Sequence, residues 1–104
     1  MIIVSKDNFI DWMKGKGYSG FTPDGQPSTI FQYCYYIERV MERAGIKSWS
    51  ELTPHLRKII VCFSGVAKRE EMKYWGKAYP TVINALETFE WYILDRFGIV
   101  YKQY

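Results

Sequence analysis

Apolar and polar positions along the chain recur with helical spacing. Between Ser5 and Gly15 the apolar residues Phe9, Ile10, Trp12 and Met13 fall on one side of a helix. Ser5 is a serine N-cap, and Asp7 and Asp11 suit the positive end of the helix dipole. Gly15-Lys16-Gly17 stops the element, since glycine is unfavourable inside a helix and useful just past its end. The pattern predicts a first helix over 5–15. Residues 18–27 hold two Pro and two Gly and read as a loop, with Pro23-Asp24-Gly25 as a turn signal. A second helix is predicted over 28–44, where Ile30, Tyr33, Cys34, Ile37, Val40, Met41 and Ala44 form a stripe and Gly45 ends it. Glu38 and Glu42 on its polar side are placed for local pairing with Arg43.

The second half of the chain carries weaker punctuation. Ser48-Trp49-Ser50-Glu51 fits a capping box, and Pro54 shortly after it complicates the start of the next helix. The reading is a short turn at 49–52 and a helix over 54–63, with Leu56, Ile59, Ile60 and Phe63 facing inward. Residues 64–79 are ambiguous: Val66 to Tyr74 has the composition of a weak helical turn, and Gly76 that of a stop. The last helix is predicted over 80–97, on Val82, Ile83, Leu86, Phe89, Tyr92 or Ile93, and Phe97, with Gly98 as its C-cap. The tail 99–104 is β-prone and could pair with Ile2-Ile3-Val4 as a small two-stranded ribbon. The fold class expected is all-α: one domain over 1–104, built as a four-helix bundle with that ribbon joining the termini.

Composition agrees with a globular domain. Of 104 residues, 48% are hydrophobic and 18% aromatic, with nine Tyr, six Phe and four Trp to supply a core in a short chain. The net charge of +3 permits an acidic partner without demanding one. Its distribution is more telling. Lys68, Arg69, Lys73 and Lys77 face only Glu70 and Glu71 within 64–77, whereas Arg96 and Lys102 are outnumbered by Glu87, Glu90 and Asp95 further on. Cys34 and Cys62 lack metal-ligand spacing and read as small buried hydrophobes of a reducing compartment, bridged only if their helices pack face to face. The apolar start is too short for a leader or a membrane span, so the expected location is the cytoplasm.

Catalytic patterns are absent. His55 is the single histidine and follows Pro54, a surface or capping position; no HExxH, phosphate-binding loop or GxSxG occurs. The expectation is therefore no enzyme, no cofactor and no metal. A binding role fits better. Residues 68–79 interleave cations with rings, which suits phosphates and sugars or bases. Ser28, Thr29 and Gln32 open a helix after a loop, where backbone N–H groups and hydroxyls suit a phosphate. Phe31, Tyr33, Tyr35 and Tyr36 surround that helix, so some rings are core and the rest face neighbouring helices or a partner.

Taken in order, these segments resemble a known domain. The stretch from Ser28 to Ile37 resembles the Ser-x-Thr-x-x-x-Tyr-type opening of the second helix in the N-terminal, SAM-like core-binding domain of phage integrases, the tyrosine recombinases. Phe9 to Met13 looks like the preceding helix, Ser48 to Leu52 like the short capping segment, and Val82 to Ile93 like the last helix, so that the likeness spans about residues 5–97. In that family the domain clamps one side of duplex DNA while a separate domain supplies the nucleophilic tyrosine and its arginines. The resemblance implies a DNA-binding half without the chemistry, free-standing or part of a longer protein; Tyr101 and Tyr104 have no Arg and His constellation and are not read as nucleophiles. The functional expectation is contact with double-stranded DNA through Ser28, Thr29, Gln32, Lys68, Arg69, Lys73 and Lys77. The alternative is a protein-interaction module or inhibitor encoded by a phage or mobile element, acting on a host nuclease or other protein, since exposed rings dominate binding hot spots.

Overall fold

The first helix, α1 (Lys6–Gly15), is capped as its sequence requires: the Ser5 hydroxyl accepts from the Asn8 N–H at 3.1 Å. The computed structural model describes residues 4–20, 23–25 and 28–98. Within them the chain continues as α2 (Thr29–Ala44), α3 (Trp49–Leu52), a 3₁₀ turn (Thr53–His55), α4 (Leu56–Ser64), α5 (Lys68–Trp75), a second 3₁₀ turn (Gly76–Ala78) and α6 (Tyr79–Phe97). The described residues hold no strand, and the architecture is an all-α bundle. The ribbon expected at the termini falls on residues outside those described, apart from Val4, which is buried.

The four long helices match their predicted spans to within two residues. α2 and α6 close on left-handed glycines, Gly45 (φ 73°) and Gly98 (φ 63°). Two segments differ from expectation. The helix placed over 54–63 begins at Leu56, because Pro54 sits in a 3₁₀ turn that joins α3 to α4 almost without a break. At Ser48 only half of the capping box closes as expected. Its hydroxyl accepts from the Glu51 N–H at 3.1 Å, but the Glu51 carboxylate accepts from the N–H of Lys47, one residue before the cap, at 3.2 Å. The ambiguous stretch 64–79 is helical for most of its length, as α5 and the 3₁₀ turn that leads into α6.

Burial follows the predicted stripes. Phe9, Trp12 and Met13 of α1 meet Ile30, Cys34, Ile37, Val40 and Met41 of α2, Trp49 and Leu52 of α3, Leu56, Ile60 and Phe63 of α4, and Val82, Ala85, Leu86, Phe89, Tyr92 and Ile93 of α6. The packing is densest between α2 and α6, which form the spine. A ring cluster ties α1 to it: the Phe9 centroid lies 5.1 Å from that of Phe89, 5.3 Å from Tyr92 and 5.9 Å from Trp49. Cys34 is fully buried, Cys62 half-buried, and the two are unbridged. Arg57 of α4 places one guanidinium nitrogen 2.9 and 3.0 Å from the two Glu90 carboxylate oxygens on α6. α5 owes little to the core, since Glu71 is its one buried residue.

Candidate functional site

α5 is held against α2 by a buried carboxylate. Glu71, 7% exposed, accepts from Arg43 Nε and Nη2 of α2, each at 3.2 Å, and from Trp75 Nε1 at 3.0 Å. Arg43 thus reaches across the fold and does not pair with Glu38 or Glu42 as its helical spacing suggested; Glu42 takes Arg39 at 2.8 Å instead. Fixing Glu71 inward changes the charge that α5 shows to solvent. At 100° per residue, Glu71 and Trp75 form the inward row and Arg69 and Lys73 stand opposite, about 40° from each other. Lys68, the first residue of α5, falls within about 40° of the inward row yet is exposed, and Lys77 lies in the 3₁₀ turn beyond. Lys68, Arg69, Lys73 and Lys77 are all exposed, and none of their side chains is engaged in an ion pair or hydrogen bond among the described residues. Glu70 is the one exposed carboxylate among them.

Rings line the seam between α2 and α5. Tyr36 meets Trp75 edge-on with centroids 6.3 Å apart; Tyr35 meets Tyr36 at 5.1 Å and Tyr74 meets Trp75 at 4.9 Å. Two guanidiniums stack on this array, Arg39 over Tyr35 at 5.0 Å and Arg43 over Tyr74 at 3.7 Å. The same six residues, with Glu42, line an open concavity of about 440 Å³. Tyr35 and Tyr74 remain 53% and 58% exposed beside it. The Nε of Arg39 is buried and has no hydrogen-bond partner.

The start of α2 lies elsewhere. α5 touches α2 between Tyr35 and Arg43, so Ser28 sits about 12 Å along the axis from the Tyr36 contact and about 22 Å from Arg43, by the rise of an α-helix. The structure therefore carries Lys68, Arg69 and Lys73 on α5 and Lys77 in the turn that follows, and does not join them to Ser28, Thr29 and Gln32. That tip is also partly closed by its own loop. Ser28 offers no side-chain cap; its N–H donates to the Gly20 carbonyl, and the Ile30 N–H donates to the Ser19 carbonyl, both at 3.0 Å. The carbonyls use donors that a phosphate would need.

A second concavity of about 560 Å³ runs between the end of α2 and α4, lined by Val40, Ile46, Ile59 and Phe63, with His55, Lys58 and Cys62 at its edge. His55 is exposed. No group of three or more His, Cys, Asp or Glu among the described residues is placed to hold a metal ion. No described helix is long and apolar enough to cross a membrane.

Sequence reading singles out the cations of α5 and, separately, the rings of α2. It misses Arg39 and Arg43, and it misses that the two ring groups share one cleft. The available signal is Arg43, whose local partners are no better placed than Glu71, 28 residues away; nothing local announces that choice. The chain is an all-α bundle that carries, among its described residues, a cleft of rings and guanidiniums between α2 and α5. No protein-family model matches it, and neither curated proteins nor solved structures give a match.

Proposed function

We propose that the chain is a small non-catalytic DNA-binding protein that contacts the duplex backbone through the outward side of α5. The observation that carries this reading is the sequestration of Glu71. With that carboxylate turned inward onto Arg43 and Trp75, Lys68, Arg69, Lys73 and Lys77 present four unpaired cations against Glu70 alone. Unpaired cations on a rigid helix bind phosphates by releasing condensed counterions. The likeness of the helices to the integrase core-binding domain points in the same direction. Ser28, Thr29 and Gln32 would touch a backbone only as a second, separate point of contact.

The test is a fluorescence-anisotropy titration of a labelled duplex at 50 and 200 mM salt. The slope of log affinity against log salt should be about −3.6, near −0.9 for each of four neutralised phosphates. Arg69→Glu with Lys73→Glu should weaken binding at least tenfold. No binding at low salt, or a double variant that binds like the parent, would remove this reading.

A second reading, a protein-interaction module of a phage or mobile element, is favoured by Tyr35 and Tyr74, each about half exposed on the α2–α5 side. A partner captured from host lysate after complete nuclease digestion would support it in place of the first.

A further inference from the structure

We propose that the cleft between α2 and α5 is a stacking site for unpaired bases of single-stranded DNA. This rests on the DNA-binding reading above and adds to it the form of DNA the protein prefers. Cations alone neutralise phosphates of any duplex. They do not account for large rings held open beside them. Tyr35 and Tyr74 keep more than half of their surface exposed, although each has an aromatic neighbour onto which it could have folded. Both are braced. Tyr36 and Trp75 hold them edge-on, and the guanidiniums of Arg39 and Arg43 lie over them. Arg43 is itself fixed by two hydrogen bonds to buried Glu71. Rings immobilised before binding lose little freedom when a base arrives.

A base paired inside a duplex offers no face to such rings, whereas an unstacked base offers two. The concavity, about 440 Å³, lies within the size range of small-molecule sites and is open at its mouth. Charge complementarity identifies the occupant as an anion with flat aromatic groups. Arg39 and Arg43 line the cleft, and the unpaired Lys73 and Lys77 stand within two residues of Tyr74 and Trp75, so four cations face Glu42 and Glu71 alone in this neighbourhood. A protein partner would have to cover these cations with carboxylates; a single strand supplies a phosphate at every nucleotide, with a base beside it.

The experiment compares fluorescein-labelled dT12 with a twelve-base-pair duplex, using the whole chain and its Tyr35→Ala, Tyr74→Ala and Tyr74→Phe variants, with folding checked by circular dichroism. The single strand should bind at least tenfold more tightly than the duplex. Each alanine variant should lose about tenfold for dT12, the usual scale for one base–ring stack, and stay within twofold for the duplex. Tyr74→Phe, which keeps the ring face, should bind dT12 as the parent does. Alanine variants that bind dT12 unchanged, or that lose duplex and single strand alike, overturn the proposal while leaving duplex binding by α5 in place. A parent that binds neither overturns both readings. Capture of a protein partner that depends on Tyr74, with no dT12 binding, overturns the stacking site in favour of a protein interface.

Discussion

Cys34 shows how environment sets the chemistry of a single residue. Burial in the core pushes its thiol up to about 11, against the opposing pull of nearby Lys6. At pH 8 about one molecule in a thousand carries the reactive thiolate. Cys62, on α4, is half-buried and lines the larger groove. Iodoacetamide at pH 8 should modify Cys62 in the native protein and Cys34 only after unfolding, as read by peptide mass; equal rates would contradict the burial. Asp95 shows the opposite shift. The Trp12 indole N–H donates to it at 2.7 Å and Lys16 stands 3.6 Å away, so its carboxyl is held below the ordinary range. A lowered folded value means that Asp95 stabilises the fold above the unfolded value and stops doing so as pH falls through the folded one. Trp12→Phe keeps a ring and deletes the donor. Asp95 should then titrate higher by NMR, and the stability gap between parent and variant should narrow at acid pH. Spacing alone puts Trp12 on the apolar side of α1, but its indole N–H needs a partner 83 residues away that no local pattern could name.

Among the elements, α5 stands apart because polar contacts secure it. The long helices announce themselves through stripes that repeat over more than two turns, and their glycine stops are local chemistry. α5 is eight residues long, with one inward carboxylate and one inward tryptophan, so its periodicity carries no hydrophobic signal. That is why 64–79 is ambiguous in the sequence. Its helix is secured from outside: it packs against α4 and α6, and its side chains reach Arg43 and Tyr36 of α2. Glu71→Gln should cost about 1–3 kcal/mol, because a charge-assisted pair is lost from a buried position. For a domain of this size that is a fall in melting temperature of roughly 4–8 °C per kcal/mol. Hydrogen exchange should rise in α5 before it rises in α2 or α6; uniform loss of protection would show that α5 is part of the common core. The displacement of the fourth helix start from 54 to 56 has a similar origin. Thr53 donates back to the Trp49 carbonyl at 3.2 Å and Pro54 has no N–H, so the chain passes through a 3₁₀ turn and enters α4 at Leu56.

For the whole molecule the ring cluster around Phe9 is decisive. α1 joins the spine through rings, with Phe9 fully buried among Trp49, Phe89 and Tyr92. Phe9→Ala should cost about 3–5 kcal/mol, a large part of the roughly 5–15 kcal/mol expected of a small domain. Its melting temperature should drop by well over 10 °C in one cooperative transition; a separate early transition confined to α1 would show that α1 is an appendage. Charge belongs to this scale as well, since a net value of +3 says nothing of where the cations point. The order of amino acids is enough to set the class of fold, the four long helices, their apolar sides and most of their ends, because each of these depends on neighbours within a turn or two. Packing in three dimensions is needed before Arg43 takes Glu71, before α5 settles against α4 and α6 with its side chains reaching the far half of α2 and away from Ser28, and before two groups of rings meet in one cleft. Those outcomes depend on which helix packs against which, and contacts between distant segments are settled by the shape of the assembled core.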